Sequence, residues 1–121
     1  MSWTYYQSSG ALKHNGHQVA IGYSGAPGAV NNPGQEYVHS IGPIPRGRYH
    51  IGRLEGHHGH LGPNVMHLTP VGHNAYGRTR LYIHGDNAAL NHSASEGCVI
   101  LPRDIRLRIA HSRDHTIEVV R

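Results

Sequence analysis

Leu81-Tyr82-Ile83-His84-Gly85-Asp86-Asn87 and, starting eleven residues beyond His84, Ser95-Glu96-Gly97-Cys98-Val99-Ile100-Leu101 are the stretches that decide the fold. Each is a short apolar run broken by glycine, the first closing into a turn and the second emerging from one. Short apolar runs bounded by turn residues are the signature of strands. Cys98 is the only cysteine, which excludes an intramolecular disulfide and a four-cysteine zinc site. His84 lies fourteen positions upstream of it. A thiol attacks as its thiolate, and an imidazole is the usual base that makes one. The pair reads as a nucleophile and its base.

A lone cysteine is also a common core residue, and Cys98 heads the apolar run Val99-Ile100-Leu101. The flanking residues favour the nucleophile. Ser-x-Gly-Cys and Ile-His-Gly both place glycine where a turn presents a side chain, so that Gly85 and Gly97 free the backbone at the two reactive positions. On this reading His84 takes the thiol proton and later returns it to a leaving amine. A backbone oxygen such as that of Gly85 holds the ring tautomer, with Asp86 as the competing orienter. The N–H groups of Gly97 and Cys98 would form an oxyanion hole, and Ser95 either meets substrate or braces the turn. Arg103, and by the same reasoning Arg78, are candidates to bind a substrate carboxylate.

The rest of the chain fits a single domain over residues 1–121. Sixteen glycines and seven prolines, with short apolar runs and no long helical pattern, predict a mainly β domain. Phenylalanine is absent, so Trp3, the seven tyrosines and the aliphatic residues must fill the core. Strands are expected at Trp3–Gln7, within Leu12–Tyr23, and at Arg48–Arg53, Val65–Leu68, Leu81–His84 and Thr116–Val120. Asn15-Gly16 marks a hairpin, and Ser24–Gly34 is a loop by composition. After the cysteine, Pro102-Arg103-Asp104 opens a short helix in which Leu101, Ile105 and Ile109 recur every fourth position. Ile105, Leu107 and Ile109 also alternate as they would in a strand.

The formal charge is +4, with 13 histidines in reserve, but the arginines are spread along the chain, which argues against nucleic acid. No apolar run approaches a membrane span, and Met1-Ser2-Trp3 opens no signal peptide. The chain is therefore expected to avoid membrane insertion and to be cytosolic, or exported without a cleaved leader. His57-His58-Gly59-His60 suggests a metal, yet it lacks an adjacent His-Glu-x-x-His pattern and lies in glycine-rich sequence. It reads as a solvated loop, and no metal or cofactor is expected. A papain-like order, with the cysteine before its histidine, would need His111 or His115 as the base.

Ile83-His84-Gly85 with Ser95-Glu96-Gly97-Cys98-Val99 resembles the L,D-transpeptidase catalytic domain family, most closely its small type VI secretion effectors. Trp3-Thr4-Tyr5, Gly22-Tyr23-Ser24-Gly25, Asn32-Pro33, Gly42-Pro43-Ile44-Pro45-x-Gly-x-Tyr49 and Gly77-Arg78 extend the resemblance over nearly the whole chain. It implies a compact β-sandwich with one short helix after the cysteine, with Cys98 as nucleophile, His84 as base, and Ser95 and Gly97 at motif positions. It further implies action on peptidoglycan stem peptides between meso-diaminopimelate and D-alanine, as carboxypeptidase, exchange enzyme or cross-linker. A secreted effector acting in the periplasm of a target bacterium, with a cognate immunity protein as partner, follows from the same resemblance. The rival reading is a non-catalytic cell-wall or partner-binding module on this fold.

Overall fold

Asn15 and Gly16 both adopt positive φ, 53° and 82°, so the chain reverses in two residues and His14 pairs with His17. The computed structural model describes residues 2–56, 61–86, 95 and 97–121. Among these, the strands are β1 (Trp3–Tyr6), β2 (Ala11–His14), β3 (His17–Ile21), β4 (Tyr23–Ser24), β5 (Gly47–Glu55), β6 (Val65–Val71), β7 (Tyr82–His84), β8 (Val99–Ile100) and β9 (Thr116–Val120). The helix α1 (Arg103–His111) lies between the last two. The histidines at 57, 58 and 60 lie outside the described residues.

All nine strands form one sheet in the order β3-β2-β1-β9-β5-β6-β7-β8-β4. Neighbours run antiparallel except β1–β9 and β7–β8, which are parallel. The two edges, β3 and β4, are separated in sequence by Gly22 alone. A sheet whose opposite edges are joined by one residue has to curl until they meet. At that seam the Gly22 N–H donates to the Gly10 carbonyl (2.8 Å). A side chain at Gly22 would collide with the Ile100 carbonyl, and one at Gly10 with the Gly22 carbonyl.

The curled sheet gives the chain its sandwich-like section and encloses the main core. Alternation delivers the apolar residues inward: Trp3 and Tyr5 from β1, Ile117 and Val119 from β9, Met66 and Leu68 from β6, Ile83 from β7 and Val99 from β8. In α1 the helical spacing prevails over the alternation, because Ile105 and Ile109 are buried in this core while Leu107 is only half-buried. Burying each isoleucine contributes roughly 1.5–3 kcal/mol, which a solvated strand here would forgo. Asp104 in the first turn and Arg108 and His111 in the last complement the helix dipole. Among the described residues no helix is long and apolar enough to cross a membrane.

Candidate active site

The parallel pair β7–β8 aligns Ile83 with Val99 and His84 with Ile100. Since Ile83 and Val99 face the core, their neighbours Tyr82, His84, Cys98 and Ile100 belong to the outer face. Tyr23, opposite Ile100 on β4, joins Cys98 and Ile100 in a second small cluster, with Tyr82 and Val30 packed against it. His84 thus stands one strand across and two positions beyond Cys98 on the same face. With strands ~4.8 Å apart and ~3.3 Å per residue, that diagonal separates the two Cα atoms by roughly 8 Å. Both side chains are nearly buried, His84 at 3% and Cys98 at 7% exposure.

The imidazole is fixed by its own turn: Nδ1 lies 2.8 Å from the Gly85 carbonyl oxygen. A carbonyl only accepts, so Nδ1 carries the proton in that bond and Nε2 presents its lone pair, the tautomer a base requires. Asp86, the competing orienter, accepts instead from the Tyr23 hydroxyl at 2.7 Å, which ties the end of β7 to β4. The Cys98 thiol points to the Arg80 carbonyl at 3.5 Å.

Two buried serines assemble the turn before the cysteine. Ser95 Oγ accepts from the N–H groups of Gly25 (3.0 Å) and Gly97 (3.1 Å) and donates to the Cys98 carbonyl (2.7 Å). Ser24 Oγ accepts from the Ile44 N–H (2.8 Å) and donates to the Gly97 carbonyl (3.3 Å). Three distant segments are thereby fixed around Cys98 through hydroxyl groups that each serve as donor and acceptor. Ser95 braces the turn. The Gly97 N–H, expected at an oxyanion, is instead spent on Ser95, because a serine two residues back is the nearest acceptor. Gly97 itself sits at φ 120°, a conformation open to glycine and rarely to other residues.

The two candidate arginines sit in different settings. Arg78 is buried, and its guanidinium donates to the carbonyls of Glu36 (2.7 Å), Pro43 (2.8 Å) and Gly42 (2.9 Å). These bonds pin the loop between β4 and β5. Burial lowers its pKa from the usual guanidinium value, opposed by the nearby Tyr49, Cys98 and Glu36. Arg103 is exposed at the start of α1, where its charge depresses the pKa of Arg106 after the larger effect of burial. Arg106, which drew no attention as sequence, is buried against Gly85 with Nε and Nη1 lacking hydrogen-bond partners. Tyr23 and Ser24 were also missed as site residues; their only signal was the Gly22-Tyr23-Ser24-Gly25 run.

The arrangement brings a thiol and an imidazole with an acceptor Nε2 onto one face of adjacent strands. Among known proteins, the model of the family described as the Tlde1 domain matches residues 18–120. A search of curated protein sequences finds no match. Among solved structures the chain is similar to L,D-transpeptidase 1 of Mycobacterium tuberculosis, at 18% identity and a TM-score of 0.55, over 98% of this chain and 60% of that one. That likeness is one of fold, and this chain spans 60% of that chain's length.

Proposed function

Since the chain belongs to the Tlde1 domain family, whose members are type VI secretion L,D-transpeptidase effectors, we propose that residues 1–121 form one cysteine-dependent domain that modifies peptidoglycan stems. His84 Nε2 takes the Cys98 proton, and the thiolate attacks the carbonyl carbon at the L-centre of the diaminopimelate residue. The tetrahedral intermediate collapses as His84 returns the proton to the departing D-alanine amine, leaving a thioester on Cys98. Water then gives a shortened stem, and the amine of a D-amino acid gives exchange. Trimmed tetrapeptides are lost as cross-linking donors, which suits an antibacterial effector acting in the periplasm of its target. A cognate immunity protein is the partner that such an effector calls for in its producer.

The observation that carries this reading is the register of β7 on β8, with the His84 Nδ1–Gly85 bond that turns Nε2 into an acceptor. One observation favours the non-catalytic alternative. Cys98 is only 7% exposed and packs with Tyr23 and Ile100, as a plain core cysteine would. The test is to incubate purified peptidoglycan with wild type or Cys98→Ala, digest with a muramidase and weigh the muropeptides. Loss of terminal D-alanine from tetrapeptides with wild type alone supports the carboxypeptidase, and incorporation of added D-methionine supports exchange. Identical profiles from two folded proteins would move the binding module ahead.

A further inference from the structure

Gly97, immediately before the thiol, lies flat against the guanidinium of Arg78: a Cβ there would collide with Nη2 and come within 3.3 Å of the Gly42 carbonyl. The same guanidinium is held by the three carbonyls of residues 36, 42 and 43, so backbone fixes its position. A buried, rigidly placed cation one residue from a thiol interacts more strongly with a thiolate than an exposed one does. The geometry points to Arg78 as the positioning residue that sets the thiolate population of Cys98, with Gly97 kept as glycine so that the cation can approach.

Other ionisable groups face the same space. His84 and Tyr82 come from β7, Tyr23 from β4 with Asp86 on its hydroxyl, and Glu36 and Tyr49 stand behind Arg78. Glu36 is neutralised by Arg46 on its far side, where three side-chain bonds join the two. Burial holds the Tyr49 phenol well above its ordinary range, and its hydroxyl donates to the Pro45 carbonyl. The Glu36 carboxylate is thus offset by Arg46, and the Tyr49 phenol stays protonated at neutral pH. The inference rests on Cys98 as the reacting group, and it is tested without any cell-wall substrate.

The probe is iodoacetamide. The thiolate sulfur forms a bond to its methylene carbon, iodide leaves, and the thiol proton passes to His84 or solvent. Alkylation rates are measured across pH for wild type, Arg78→Met, Arg78→Gln and Arg78→Lys, with Cys98→Ala as the blank and Trp3 fluorescence reporting the fold. The neutral variants should react about tenfold more slowly near neutral pH, with profiles moved to higher pH. Arg78→Lys should stay within about threefold of wild type in rate while melting earlier, because it keeps the charge and loses the fork. Folded Arg78→Met or Arg78→Gln with a wild-type profile would overturn the inference. An unreactive wild-type thiol would instead overturn the reading of Cys98 itself.

Discussion

Glu36→Gln should cost stability in a way that depends on pH. The Glu36 side chain is 6% exposed. Its carboxylate accepts from Gln7 (2.8 Å), from the Arg46 N–H (2.9 Å), from Arg46 Nη2 (2.7 Å) and from the Tyr76 hydroxyl (3.3 Å). Burial raises its pKa, but the hydrogen bonds from Arg46 and Gln7 and the charge of Arg46 prevail and lower it from 4.5 to about 2. A carboxyl with a depressed folded pKa contributes stability that is complete above its unfolded pKa and lost as pH falls through the folded one. At about 1.4 kcal/mol per pH unit, that interval is worth about 3 kcal/mol near neutral pH. Urea unfolding followed by the fluorescence of Trp3, the only tryptophan and fully buried, gives the free energies. The gap between wild type and Glu36→Gln should be about 3 kcal/mol near pH 7 and should close progressively between roughly pH 4.5 and pH 2. A gap that stays constant over that range would refute the reasoning, since it would show that shape and not charge was lost.

Three further perturbations follow from the same geometry. Gly22→Ala pushes a methyl into the Ile100 carbonyl at the seam, where backbone meets backbone, and should cost more than about 3 kcal/mol; an unchanged melting temperature would contradict the closed seam. Tyr23→Phe removes the 2.7 Å bond to Asp86 and should cost about 1 kcal/mol in urea, a neutral result showing that the bond is not made in solution. Arg106→Met exchanges a buried guanidinium, whose Nε and Nη1 lack partners, for an apolar chain, and should leave the protein as stable or about 1 kcal/mol more so. A clear loss of stability in thermal melts would show that Arg106 meets an acceptor in solution.

The parts of the fold visible in the sequence are those governed by neighbours along the chain. Asn15-Gly16 could be read because two adjacent positive-φ residues suffice for the turn, and the strands because alternation is local. The Arg103–His111 segment was ambiguous because Ile105 and Ile109 fit both periods, and only the core they enter decided it. His84 and Cys98 stood out by chemistry, but nothing in their spacing fixed a parallel register between their strands. Ser24, and the partners of Ser95 and Arg78, were beyond reach for a related reason. Ser24 meets Gly97 across 73 positions, and Arg78 meets Glu36 across 42, distances over which a sequence carries no geometry.

Strand β1 is first in the chain yet sits in the middle of the sheet, paired in parallel with β9. Trp3 lies opposite Ile117, 114 positions away (117 − 3). Closing so long a loop is entropically costly and must precede the reward of pairing, which makes folding slow relative to helical proteins of this size. A ribosome must therefore release the chain through Val119 before β9 can cover Trp3 and Tyr5. Until then they wait on a half-built sheet, exposed to chaperones and to other nascent chains. Trimming residues 116–121 would remove a central stave rather than a tail, and the two halves of the curled sheet would be left without the strand that joins them.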